Sequence, residues 1–209
     1  TGGTIQYRIN VAGNVAVDET STMGGNWNIE GDLSNAGILT PGNSIGRVSV
    51  AGDLLLAPTS IYEVDIDATG DADLIEVGGT AALDGSVTVM LLDGYLLGTP
   101  YTILAAGTLT GEFDEDVGFA QGTAFLDAFL SYDPNTVFLT IERNDVEFAS
   151  VAGSPNQAAV AGALDQLPLT NPLASAIALS SGEDAARAFD QLSGEIYGSA
   201  KTVLVVNGG

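Results

Sequence analysis

Apolar and polar residues alternate in short bursts up to about residue 148, and then the period becomes helical. In Ile61-Tyr62-Glu63-Val64-Asp65-Ile66, residues Tyr62, Val64 and Ile66 alternate with Glu63, Asp65 and Asp67. A strict period of two predicts a strand with one apolar and one acidic face. Before it lie short β-type runs such as Thr4-Ile5-Gln6-Tyr7-Arg8-Ile9 and Gly13-Asn14-Val15-Ala16-Val17, separated by Gly, Asn, Asp and Ser. Further strands are predicted at 74–77, 86–91, 101–104 and 136–141, with turns at Asp93-Gly94, Gly98-Thr99-Pro100 and Asp133-Pro134-Asn135. After Phe148, Ser154-Pro155-Asn156-Gln157 reads as a capping box with proline at the first helical position, and Val160, Leu164 and Leu167 share a face. Asn171-Pro172 starts a second short helix. Ser180 or Ser181 caps a third over 183–206, with the stripe Ala185, Phe189, Leu192, Ile196, Ala200 and Val203, which Gly194 and Gly198 weaken.

A repeat underlies the β-type part. Gly31-Asp32-Leu33, Gly52-Asp53-Leu54 and Ala72-Asp73-Leu74 recur about every 20 residues, close to one turn of a parallel β-helix. Aromatic residues then mark a boundary near Ser60. Only Tyr7 and Trp27 precede it, whereas residues 61–148 hold Tyr62, Tyr95, Tyr101, Phe113, Phe119, Phe125, Phe129, Tyr132, Phe138 and Phe148. Narrow coils fill with aliphatic residues, and bulky rings suit a lid over an open end. Three segments are expected: coils over 1–60, a cap over 61–148 and a helical segment over 149–209.

Charge narrows the partners. The 209 residues carry a net charge of −22, yet only 15% are charged, because Arg8, Arg47, Arg143, Arg187 and Lys201 are the only basic residues. Scattered cations cannot neutralise a row of phosphates, so nucleic acid is excluded as a partner. Without cysteine or histidine there is no disulfide scaffold and no thiolate or imidazole metal site. Cysteine avoidance also fits export through an oxidising compartment and a narrow pore. A start at Thr1, with neither signal peptide nor long apolar run, leads us to expect a fragment of a larger protein.

Three patterns carry candidate chemistry. Gly42-Asn43-Ser44-Ile45-Gly46 matches the G-x-S-x-G nucleophile pattern. A serine nucleophile needs a base, and Lys201 is far along the chain, so a tight turn is the expected reading. Asp65, Asp67, Asp71 and Asp73 could form a cation site or a pair of catalytic carboxylates, but the calcium-loop spacing is absent, and a solvated face plus a turn is expected. Gly78-Gly79 and Ala105-Ala106-Gly107 lack the residues of a phosphate loop and read as turns. Glu183, Asp184, Arg187, Asp190, Glu195 and Lys201 keep the last helix out of lipid; it packs by its stripe or approaches a watery pore.

The ordered series Leu39-Thr40-Pro41-Gly42-Asn43-Ser44-Ile45-Gly46, Ala72-Asp73-Leu74-Ile75-Glu76-Val77-Gly78-Gly79-Thr80-Ala81-Ala82-Leu83-Asp84-Gly85, Tyr101-Thr102-Ile103-Leu104, Asn156-Gln157-Ala158-Ala159-Val160-Ala161 and Leu192-Ser193-Gly194-Glu195-Ile196-Tyr197 resembles the C-terminal passenger region of bacterial autotransporters. This resemblance, over about Gly37 to Lys201, implies a right-handed parallel β-helix with a β-rich autochaperone cap and a helical linker. It further implies an outer-membrane β-barrel beyond Gly209, and a place on a Gram-negative cell surface or in the medium after type V secretion. The implied partners are the chain's own upstream coils and its own barrel. The expected function is therefore a non-catalytic stem that promotes folding and secretion: not an enzyme, with no cofactor, metal or catalytic residue. The alternative is an adhesin or host-binding β-helix module; a carbohydrate-active β-helix enzyme lacks the basic residues such lyases set beside their carboxylates.

Overall fold

Short alternating runs interrupted by Gly, Asn and Asp make short strands with sharp corners. The computed structural model describes residues 8–42, 44–92 and 94–194. In chain order the strands are β1 (Arg8–Val11), β2 (Val15–Val17), β3 (Thr22–Gly24), β4 (Asn26–Ile29), β5 (Leu33–Asn35), β6 (Ile38–Thr40), β7 (Arg47–Val50), β8 (Leu54–Leu56), β9 (Ile61–Ile66), β10 (Leu74–Leu83), β11 (Ser86–Leu91), β12 (Tyr101–Gly111), β13 (Gly118–Phe119), β14 (Leu126–Asp133) and β15 (Thr136–Arg143). The helices are α1 (Pro155–Leu164), α2 (Pro172–Ala178) and α3 (Gly182–Ser193). Of the expected 4–9 strand, only Arg8 and Ile9 are among the described residues.

Three columns of parallel strands result. One runs β1-β4-β7-β10-β12, the second β2-β5-β8-β10 and the third β3-β6-β9-β11-β13. The chain is mostly β with partly parallel sheets, an arrangement compatible with a β-helix. Equivalent side chains stack from coil to coil, as in Trp27-Val48-Ile75-Leu104 and Leu39-Tyr62-Val87. Val48, Ile75, Leu104, Leu39, Tyr62 and Val87 are buried, so the alternation read from sequence sorts residues between core and solvent. At the far end β12 meets β15 antiparallel, pairing Tyr101 with Leu139, and β15 leads back to β14 through the Pro134-Asn135 turn.

The repeat is real, but its third mark is misread in the sequence. Leu33 pairs with Leu54 and Leu54 with Ala81, which makes Gly79-Thr80-Ala81 the next equivalent of Gly52-Asp53-Leu54. Ala72-Asp73-Leu74 stands elsewhere, Leu74 opposite Arg47. At each corner a side chain accepts the N–H of the next coil: Asn14 Oδ1 from Asp32 N at 2.9 Å, Asp32 Oδ1 from Asp53 N at 2.9 Å and Asp53 Oδ1 from Thr80 N at 2.7 Å. The preceding Gly31, Gly52 and Gly79 are needed, because a Cβ there would collide with that oxygen. The last step spans 27 residues because the 67–71 turn lengthens the coil.

The described residues form two compact units. One reaches Ala120 and includes Asp127–Glu142; the other holds Gln121–Leu126 and the residues from Arg143 onward. In the first, Tyr62, Tyr101 and Phe113 are buried; in the second, Phe125, Phe148 and Phe189 are. Phe129, counted among the lid rings, is 51% exposed.

Arg143 organises the second unit. Its guanidinium carbon lies 4.6 Å from the Phe148 ring centroid and 5.3 Å from that of Phe125, and the two rings meet edge to face at 4.9 Å. It donates to the carbonyls of Phe125 (3.0 Å), Asn144 (2.8 Å) and Val146 (2.5 Å). Ser154 caps α1 by accepting from Gln157 N, while Gln157 Oε1 accepts from Gly153 N. The buried face is Gln157, Ala161 and Leu164; of the expected Val160, Leu164 and Leu167 only Leu164 is buried, and Leu167 lies past the helix end, exposed. Asn171 caps α2 and Ser181 caps α3.

The expected 24-residue last helix is corrected. α3 ends at Ser193, where Gly194 at φ 74° takes the left-handed conformation that closes helices. Leu192 is exposed, and Ile196, Ala200, Lys201 and Val203 lie outside the described residues. Among the described residues no helix is long and apolar enough to cross a membrane.

Two substitutions test these cores separately. Ile75→Ala empties a fully buried site and is expected to lower stability by about 2–5 kcal/mol in urea unfolding. Arg143→Lys keeps the charge but loses the planar donor fork, with an expected loss of about 1–3 kcal/mol by the same measurement.

Candidate functional site

The four aspartates grouped by sequence separate into an exposed turn (Asp67 and Asp71), the outer face of β9 (Asp65) and an interior junction (Asp73). Ile66 bridges Ala72, and Asp67 N donates to Asp71 O at 3.1 Å, closing a small hairpin. At its tip Asp67 Oδ1 accepts from Thr69 N (2.8 Å), the Thr69 hydroxyl (2.7 Å) and Asp71 N (3.2 Å). The Thr69 hydroxyl bond, foremost, holds the Asp67 carboxyl below its ordinary range. The turn therefore caps itself through Asp67. Asp65 lies on the outer face of β9, and partial burial raises its pKa, aided by Glu63.

Asp73, expected on the solvated face or in the turn, is instead fully buried. Strand alternation resumes after the hairpin at Asp73, and this directs its carboxyl inward. Its Oδ1 accepts from Gly46 N at 2.7 Å and its Oδ2 from Asp65 N at 3.1 Å, while its own N donates to Asp65 O at 2.9 Å. Burial pushes its pKa up from 3.8 to about 8, outweighing the two N–H donors, which favour the anion. Beside it the Tyr62 hydroxyl donates to Ile103 O at 2.8 Å and lies 3.2 Å from Asp73 O. Tyr101 completes the junction: its hydroxyl accepts from Leu96 N at 2.6 Å and donates to Asp67 O at 2.9 Å. Two tyrosines and one aspartate thus tie the Gly46 turn, β9, the hairpin, β10 and β12 together.

The other end of the Asp73 bond explains the G-x-S-x-G pattern. Gly42 has φ 81°, and a Cβ on Gly46 would collide with the Gly42 Cα, so both glycines serve a tight crossing. Ser44 is exposed on a bend from strand β6 to strand β7, whereas a nucleophile elbow runs from strand to helix. Asn43 is outside the described residues. Among the described residues no group of three or more acidic side chains is set to hold a metal ion.

No family model matches the chain. It is similar to two proteins of Serratia marcescens, each named extracellular serine protease. One is 31% identical over 175 residues, covering 78% of this chain and 16% of that protein. The other is 28% identical over 184 residues, covering 82% of this chain and 17% of that protein. The chain thus spans about a sixth of the length of these relatives. Their extracellular naming agrees with the expected export. Their protease naming overturns the expectation that the protein is not an enzyme.

The sign of the Asp73 shift sets a pH test. An acid whose folded-state pKa is raised contributes its full stability below its unfolded value and loses it as pH rises through the folded value. Stability is expected to fall from about pH 4 to about pH 8 and then level off. Asp73→Asn removes that slope; at about pH 5 it costs about 1–3 kcal/mol, because its NH2 faces an N–H donor, and the deficit narrows as pH rises. Urea unfolding across pH reads both.

Proposed function

We propose that this chain is the stem and folding end of an exported protein of the autotransporter type. Residues 1–60 form coils of a right-handed parallel β-helix, 61–148 an autochaperone cap and 149–209 a linker toward an outer-membrane β-barrel. Proteolysis, named for both relatives, is the activity we propose for the protein to which this segment belongs, displayed at or released from a Gram-negative surface.

The observation that carries the reading is the unlike pair of ends. β1, β2 and β3 each pair on one side only among the described residues, whereas β12 is sealed by the antiparallel strand β15. A folded 61–148 segment offers the strand edges of β9 and β10, on which preceding coils add one at a time. The Asp73 bond to Gly46 and the pairing of β9 with β6 are such additions. At roughly 0.05–0.15 kcal/mol per residue, a coil of about 20 residues contributes about 1–3 kcal/mol. Each added coil then disfavours backsliding by about tenfold to a hundredfold without ATP. The net charge of −22 keeps the waiting chain soluble.

Deleting residues 62–148 from the encoding gene is expected to remove most protease-resistant protein from the cell surface. Undiminished folded protein on the surface defeats the folding role.

A further inference from the structure

Beside the corner ladder, the outer face of the second strand column holds an open groove of about 600 Å3. Asn14, Asp32, Asp53 and Thr80 form one side, and Ala16, Ser34, Leu55 and Ala82 follow two residues further along the chain. Leu55 is 56% exposed, the most exposed large hydrophobic residue of the described chain. Each acidic side chain is held in place, since its Oδ1 is committed to the next coil's N–H. Asn14 Nδ2 also reaches Asp32 Oδ2, at 3.3 Å. Among the described residues, neither Asp32 nor Asp53 has an ion-pair partner: Arg47 pairs with Glu76, Arg143 with Asp165, and Arg187 with Glu183 and Asp184.

We propose that this groove docks an arginine-bearing peptide segment of another protein, one guanidinium bridging Asp32 and Asp53 and a neighbouring apolar side chain covering Leu55. Strands β5 and β8 are adjacent and parallel, so the two carboxylates stand one strand spacing apart, about 4.8 Å. A planar guanidinium with five donors can reach both, and its aliphatic stem lies on the apolar side of the groove. Charge selects the occupant. A chain of net charge −22 repels a second copy of itself, nucleic acid, acidic polysaccharide and anionic lipid, whereas a cationic peptide meets two carboxylates that have no ion-pair partner among the described residues, beside an exposed leucine. This binding role goes beyond the stem function and does not depend on it.

The test uses the 209-residue chain and a fluorescein-labelled peptide of about ten residues alternating arginine and leucine, read by anisotropy. Saturable binding is expected. Asp32→Asn with Asp53→Asn is expected to weaken it by about tenfold or more, and Leu55→Ser also weakens it. The amide keeps the Oδ1 acceptor, as Asn14 shows, so the ladder persists. Glu112→Gln with Glu115→Gln removes equal charge elsewhere and is expected to change affinity by less than about twofold. Absence of saturable binding, equal loss from the remote pair, equal binding of a glutamate-for-arginine peptide, or a dimer in sedimentation equilibrium overturns the proposal. Should the double variant unfold by circular dichroism, Leu55→Ser alone decides, and unchanged affinity overturns it.

Discussion

Coil stacks on coil only if every backbone N–H finds an acceptor where the strands turn, and here side-chain oxygens supply the missing ones. Strand ladders pair the straight segments, but at the corners the backbone bends away from its neighbour. Asn14, Asp32 and Asp53 each reach across to the next coil, and Asp73 does the same from inside for Gly46. Glycines stand wherever such an oxygen or another backbone passes, because a methyl group would occupy its place. Together these contacts set the register. A slip of one residue would turn Tyr62, Val64 and Ile66 outward and Glu63 and Asp65 inward.

The same constraint links fold and proposed role. In the proposed role a stack held by coil-to-coil bonds grows from its open edge, and the reversal of strand direction at β12 and β15 is a stop at the other end. Asp73 and Tyr62 sit near that stop, reaching back to the Gly46 turn and forward to Ile103. The hairpin that carries Asp67 and Asp71 lengthens one coil without breaking the ladder, since β10 resumes the register of β7 and then of β8. The second unit follows different rules: its centre is Arg143 between Phe125 and Phe148, with helices capped by Ser154, Asn171 and Ser181.

Strands with clean alternation were legible. The 86–91 and 136–141 predictions fall on β11 and β15, and the serine and asparagine caps start the helices where expected. Strand β14 was not read as one, because Leu126 and Ala128 are its only buried residues and Phe129 faces solvent. The third repeat mark was lost because a hairpin of acidic residues shifted the spacing, and Thr80 stands where Asp was sought. Asp73 looked like its neighbours in composition. Only its phase, an even step from Ile75 and Val77, carried any signal that it points inward.

By itself the sequence determined the β-rich class, the acidic and cation-poor surface, the corners and the helix starts, since these depend on local periodicity, charge and turn chemistry. Which corner stacks on which, that Asp73 is interior, and that the end is sealed by an antiparallel strand were decided by tertiary structure alone. Those features are contacts between residues 18 to 41 positions apart. Their partners are chosen by coil stacking and burial, which no local pattern encodes.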